Sequence, residues 1–404
     1  MDATKISNIE KRKKDYRNRI LEIIRQNEQA SRMDIKRLSR FSMTTTLETV
    51  ENMISDGLLI ESGMGESTGG RKPTWLKINP EGGYFLGVEF NASYVFYVIV
   101  DLCSTVCFYG NKAIPQMDQH VDGVTAAVCA CISEMIDKVP NRERILGIGL
   151  GVPGYVNIEK GAASSYAFIQ GWDNVPIQQI ISQQFNMNVY IENNVHAMAL
   201  AYKWLEYNGV CDNLIFFAMR TGLRLGSIVR GSLMRGYNNN AGEIDHFKVN
   251  GSNRLCSCGQ KGCLVTEASQ GALLLKVQEG MIRGRFPYIA SQCENGRTPN
   301  ILDLIEGINH GDKDSIALME ETATYIGQML SAVVFVSNPD LIVISTIFSQ
   351  CGPSFLDQIE QIVRKNCWHH QLSGLSFSYT KYDIHIGAIG AASIVMQNEI
   401  GIIS

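Results

Sequence analysis

What this 404-residue sequence lacks narrows it first. No stretch reaches the roughly 18 unbroken apolar residues that a membrane helix requires. The best candidate, from Met329 to Ile344, is broken by Asn338, Pro339 and Asp340. The opening residues, MDATKISNIEKRKKDY, contain no apolar stretch of the secretory kind, so a cytoplasmic protein with no membrane insertion is expected. With only 10 prolines, and 45% hydrophobic against 19% charged residues, a disordered or fibrous chain is excluded. No repeat with a period of about 20 to 50 residues is visible, which removes solenoids and propellers. A regular, even set of cysteines is missing as well. Of 11 cysteines, Cys256, Cys258 and Cys263 fall together and the others are scattered, mostly within apolar runs. Reduced thiols plus one metal cluster are therefore expected, not a disulfide framework.

What is present begins with a charge asymmetry. The formal net charge is −4, but residues 1–80 carry 15 Lys+Arg against 11 Asp+Glu, a local excess of +4, which leaves −8 for the remainder. A basic head on an acidic body suggests a nucleic-acid-binding unit attached to something else; a solvated charge run at Lys11 to Lys14 is the simpler reading of that stretch alone.

The head has the pattern of three helices and a hairpin. Ile20, Ile23 and Ile24 have the spacing of an amphipathic helix that ends near Asn27. Ser31 and Asp34 stand at N-cap and N3 of a second helix, with Ile35 and Leu38 as its buried face. Ser42 caps a third, with Leu47, Val50 and Ile54 as the apolar stripe and Gly57 as the stop. LLIES and WLKIN then read as strands joined by a loop that carries Arg71 and Lys72. This order is that of a winged helix-turn-helix, in which the third helix enters the major groove of double-stranded DNA while the wing contacts phosphate. Ser42, Thr44, Thr45, Thr46, Thr49, Arg71 and Lys72 are the expected DNA contacts, because short hydroxyls bond base edges or phosphates in little space. A small helical protein-interaction domain has the same outline, and the charge favours DNA.

From Tyr84 onward, Val-, Ile- and Phe-rich runs such as YFLGVEF, YVFYVIVDL and DLIVIS alternate with helical stretches, which predicts an α/β body. Within it, His246, Cys256, Cys258 and Cys263 offer one imidazole and three thiolates. That set fills a tetrahedral Zn²⁺ with no open position, so a structural zinc is expected; unligated loop thiols are the alternative.

AGEIDH at 241–246 followed by CSCGQKGCL at 256–264 resembles the zinc-loop signature of the ROK family of repressors, open reading frames and kinases. IGLGVPGYVN at 148–157, GWDNVPI at 171–177, IENNVHAMALAYKW at 191–204, TGLRLGSIVRGSLMRG at 221–236 and IGAIGAA at 386–392 follow in the family's order, and the head resembles its repressor branch. The resemblance implies a winged helix-turn-helix over 1–80, then a two-lobed actin-like, ribonuclease-H-like ATPase fold over 81–404. Lobe one would span about 81–197 plus a C-terminal helix at 387–404. Lobe two would span about 198–386 and contain the zinc loop, 246–263. Ligand would bind between the lobes, with Asn174, Asn193, Asn194, Glu243 and His246 as the sugar-facing polar groups.

The chain departs from the family where ATP chemistry is done. A sugar kinase needs a carboxylate to take the hydroxyl proton and glycine-rich turns to approach phosphate. Here the Asn-Asp pair of the family reads Asn193-Asn194, and its Asp-x-Gly-Gly-Thr turn reads Glu89-Phe90-Asn91-Ala92-Ser93. In the second turn Leu223 and Arg224 replace small residues, and the later Gly-Gly is Ser345-Thr346. The sugar site is altered too: Asp245 replaces a Gly and Val265 a Glu, and Glu267, two residues on, would face elsewhere on a helix. The expected protein is not an enzyme and uses no ATP. It is a transcriptional regulator, a repressor of carbohydrate uptake or catabolism genes, controlled by a sugar or sugar-phosphate effector and acting as a homodimer or a dimer of dimers. An ATP-dependent sugar kinase and a protein-binding scaffold are the competing readings.

Overall fold

The computed structural model describes residues 3–64, 73–203, 211–293, 296–380 and 384–401. The chain folds as two compact units, Met1–Glu206 with Ile384–Ser404, and Tyr207–Asp383.

The first unit opens with α1 (Ala3–Asn27), β1 (Ala30–Ser31), α2 (Arg32–Ser39), α3 (Met43–Ser55), β2 (Leu59–Met64) and β3 (Thr74–Ile78), the strands forming an antiparallel sheet in the order β1-β3-β2. Both caps read from the sequence form. Ser31 Oγ accepts the Asp34 N–H at 3.1 Å while the Asp34 carboxylate accepts the Ser31 N–H at 3.2 Å. Ser42 Oγ accepts the Thr45 N–H at 3.0 Å. The buried face of α3 is displaced from the expected stripe, because Thr46, Val50 and Met53 are buried whereas Leu47 is 38% exposed. A threonine can line this core because its hydroxyl donates back to the Ser42 carbonyl at 2.9 Å, which leaves no unpaired polar group. In α2, Ile35 is buried as expected, but Leu38 is exposed. Arg71 and Lys72 lie outside the described residues.

The same unit continues through β4 (Tyr84–Phe90), β5 (Tyr94–Asp101), β6 (Val106–Ala113), α4 (Val121–Lys138), β7 (Ile145–Val152), β8 (Tyr155–Asn157), β9 (Ala162–Ser165), β10 (Asp173–Val175), α5 (Ile177–Phe185), β11 (Val189–Asn193) and α6 (Asn194–Ala201). The main sheet has the order β11-β7-β4-β5-β6. Strands β4, β5 and β6 form an antiparallel meander, and β7 and β11 extend it in parallel. Leu86, Val88 and Phe90 pack with α4 and α5 residues such as Val128, Ile132 and Ile181.

The second unit comprises β12 (Leu214–Met219), β13 (Leu223–Val229), β14 (Ser232–Leu233), α7 (Val265–Ala268), α8 (Gln270–Ile282), α9 (Pro287–Gln292), α10 (Ile301–Asn309), α11 (Lys313–Ser337), β15 (Leu341–Thr346), α12 (Ser354–Asn366), α13 (His369–Leu372) and β16 (Ser376–Tyr379). Its sheet order, β14-β13-β12-β15-β16, repeats the first plan of a meander extended by two parallel strands. The helices supply Leu273, Ile326, Met329 and Ile359 to its core.

The last helix, α14 (Ile386–Ile400), returns to the first unit, and every residue from Ile386 to Met396 is buried. It lies so close to the sheet that a Cβ on Gly87 would stand 2.0 Å from the Ala388 carbonyl oxygen, and one on Gly149 1.8 Å from that of Ala391. Only glycine fits there. At its far end Lys14 Nζ of α1 donates to the Asn398 carbonyl at 2.6 Å. Among the described residues no helix is long and apolar enough to cross a membrane.

Candidate functional site

The head presents Ser42 and Thr44 exposed, with Thr45 and Thr49 half-buried, and the Ser42 and Thr45 hydroxyls are 2.8 Å apart. Thr46, expected as a DNA contact, is fully buried and is a core residue. The error has a simple origin: a run of three threonines gives no sequence signal for which one the 100° helical step turns inward.

In the first unit the polar residues at the strand ends are held by the fold. Asn193 is 4% exposed and caps α6, its Oδ1 accepting the Val195 N–H at 3.0 Å and the His196 N–H at 3.3 Å. Its Nδ2 donates to the Gly154 carbonyl at 3.0 Å, so this amide fixes the corner in place of facing a ligand. Asn194 is half-buried and donates to Glu89 Oε1 at 3.3 Å. A carboxylate thus adjoins the position where the family has its Asp, but it is carried by β4. Asn174 is exposed, sits at φ 51° and donates to Asp173 Oδ1 at 3.0 Å. The β4–β5 turn is closed locally: Asn91 Oδ1 accepts the N–H groups of Ser93 at 2.8 Å and Tyr94 at 2.9 Å.

The second unit brings His246, Cys256, Cys258 and Cys263 together, with one ligand atom from each lying within 4.8 Å of all the others. Cys258 Sγ is 3.7 Å from Cys263 Sγ, and Cys256 Sγ is 3.6 Å from His246 Nδ1. A tetrahedral ion with metal–sulfur bonds of about 2.3 Å and metal–nitrogen bonds of about 2.05 Å has edges of roughly 3.8 and 3.6 Å, so these separations fit one ion. Gly259 and Gly262 adopt φ of +83° and +74°, the left-handed turns that let the loop fold back. The Gln260 backbone N–H pulls the Cys258 thiol below its ordinary pKa, which favours a thiolate there. Burial pushes the Cys263 thiol up, and Lys248 Nζ, 3.1 Å from its Sγ, opposes that shift. His246, expected both as a metal ligand and as a sugar contact, turns Nδ1 to the cluster.

Beside the cluster, Glu243 forms an ion pair with Arg224, and Asp245 Oδ1 accepts the Leu223 N–H at 2.7 Å. Neither pairing is evident in the sequence, which flags Arg224 and Asp245 only as departures from a pattern. Glu267 is 3% exposed and pairs with Lys276 at 2.6 Å, in a polar cavity of about 300 Å³ that Arg254 and Tyr325 also line.

The ROK family pattern matches residues 113–398. Over 383 residues, 94% of each chain, the protein is 28% identical to the xylose repressor of Caldicellulosiruptor bescii. A solved ROK family transcriptional regulator, a homolog of the E. coli MLC protein, superposes with a TM-score of 0.81 at 23% identity over 97% of this chain and 98% of that one. A ROK family glucokinase from Streptomyces griseus, in complex with glucose and AMPPNP, gives a TM-score of 0.66 at 23% identity over 78% of this chain and all of its own.

Proposed function

Because the chain belongs to the ROK family, we propose that it is a sugar-responsive transcriptional repressor that binds operator DNA through residues 1–80. One observation carries the reading: the likeness to a xylose repressor runs over 94% of the chain and so takes in head and body together. The exposed end of α3, with Ser42 and Thr44, is the element that would enter the major groove, with Thr45 and Thr49 beside it. Arg71 and Lys72 would reach phosphates from the wing. A single head makes few base contacts, so two heads in a homodimer, or a dimer of dimers, are needed for a specific operator.

The cluster of His246, Cys256, Cys258 and Cys263 holds Zn²⁺ in this reading. Thiolate and imidazole ligands suit that ion, and four protein ligands leave it no open position for chemistry. Sugar phosphorylation is not proposed, because the Asn194 amide is no base for a hydroxyl proton. The effector is a sugar or sugar phosphate that engages Glu243.

The test is fluorescence anisotropy with DNA from upstream of the protein's own coding region. Saturable binding that weakens with salt, and release by at least one of xylose, glucose or N-acetylglucosamine 6-phosphate, are expected. Thr44→Ala weakens binding by about 1 kcal/mol, roughly fivefold, whereas Thr46→Val leaves affinity unchanged. Absence of saturable binding sinks the DNA reading; binding that no sugar alters sinks the effector reading.

A further inference from the structure

Helix α3 has two unlike faces. Thr46, Val50 and Met53 are buried in the head, whereas Thr44, Leu47, Glu48 and Glu51, at the i, i+3, i+4, i+7 spacing of another face, are all exposed. Leu47 is 38% exposed, and Met43, one turn earlier on the same side, is 36% exposed. A lone outward leucine needs no explanation. Here, however, the hydrophobic order is inverted within one helical step: the threonine is inside, its hydroxyl returned to the Ser42 carbonyl at 2.9 Å, and the leucine is outside beside Thr44. Glu48 is the second anomaly of this face. Glu51 is paired with Arg32 at 2.7 Å, but Glu48 makes no hydrogen bond or ion pair among the described residues. A bare carboxylate carried towards DNA phosphates is repelled. Only a donor on a base edge compensates it there.

We propose that Leu47 and Glu48 are base-reading residues, Leu47 packing on the C5-methyl of a thymine and Glu48 accepting from the N4 amino group of a cytosine in the same half-site. The inference rests on the DNA reading of the head and names the base edges that it selects. In the major groove the thymine methyl is the apolar group, and the donors are the amino groups of cytosine and adenine. A carboxylate has acceptors alone, so the N7 and O6 acceptors of guanine repel it, and the N7 of adenine opposes its second oxygen. Cytosine is left as the favoured partner. Both side chains select without adding general affinity: Leu47 brings no charge, and Glu48 penalises every site at which no amino group meets it.

The experiment is selection of bound sequences from a randomised double-stranded oligonucleotide pool by the full chain, then fluorescence anisotropy on the selected half-site. Replacing each thymidine in turn by deoxyuridine deletes one methyl group. At one position this weakens binding about fourfold, the worth of one buried methyl, and Leu47→Ala binds the two versions equally. At one cytosine, replacement of the base pair by thymine–adenine weakens binding roughly tenfold. Glu48→Gln loses that preference and takes adenine there, because an amide pairs with adenine N6 and N7 together. Both side chains lie outside the core, and each variant keeps the parent's dependence of affinity on salt, which a damaged head would not. Methyl deletion that has no effect at any position, or the same effect in Leu47→Ala, overturns the leucine assignment. A cytosine preference that survives Glu48→Gln overturns the glutamate assignment. In either case the DNA reading stands; if the pool yields no bound DNA, it falls as well.

Discussion

The β4–β5 and β12–β13 hairpins occupy the same place in the same five-stranded plan, and each satisfies its turn N–H groups with a side-chain oxygen. The oxygen differs in origin. In the first unit it belongs to Asn91, within the turn, and the bond closes a short ring that forms with the hairpin. In the second it belongs to Asp245, 22 positions away, on a segment that leads into the His/Cys cluster. A local acceptor makes a turn self-sufficient. A distant one makes it depend on whatever holds the distant segment.

Three measurements would break or sharpen that contrast. The largest effect is expected from Cys263→Ser, which removes a fully buried thiol of the proposed zinc cluster. Metal content falls below half an equivalent, and stability drops by about 3 kcal/mol, or roughly 6–12 °C for a unit of this size. Hydrogen exchange at the Leu223 N–H accelerates while Ser93 and Tyr94 keep their protection; equal acceleration in both turns would refute the dependence. A middle effect is expected from Asn193→Ala. It deletes the α6 cap and leaves the Gly154 carbonyl buried without its donor, at about 2 kcal/mol in urea unfolding. Asn194→Ala, with one longer bond to Glu89, costs less than about 1 kcal/mol. If the two variants are equally mild, the first unit's strand ends are not fixed as described. The smallest effect is that of Asn91→Ala, about 1 kcal/mol, with metal content and Leu223 exchange unchanged.

Much of this was legible in the sequence, and the reasons for the rest are physical. Strands β4, β5 and β15 were written as dense apolar runs because both their faces are covered. The caps at Ser31 and Ser42 and the convergence of His246 with three cysteines were visible because cap and ligand chemistry act over short, regular spacings. What stayed hidden was direction. Thr46 and Leu47 differ by a single helical step, and a hydroxyl that returns to its own backbone makes the threonine the buried one. The pairing of Arg224 with Glu243 depends on a β-bridge between their backbones, a long-range register that no local pattern records.

The seating of α14 also has a consequence in time. Its partners, β4 and β7, precede the whole of Tyr207–Asp383 in sequence, and the helix follows it. At translation rates of about 5–20 residues per second, the nascent first sheet waits on the order of ten seconds or more with its Gly87 and Gly149 groove bare. Synthesis of this protein therefore holds open a window in which the first sheet stands half-covered before α14 arrives.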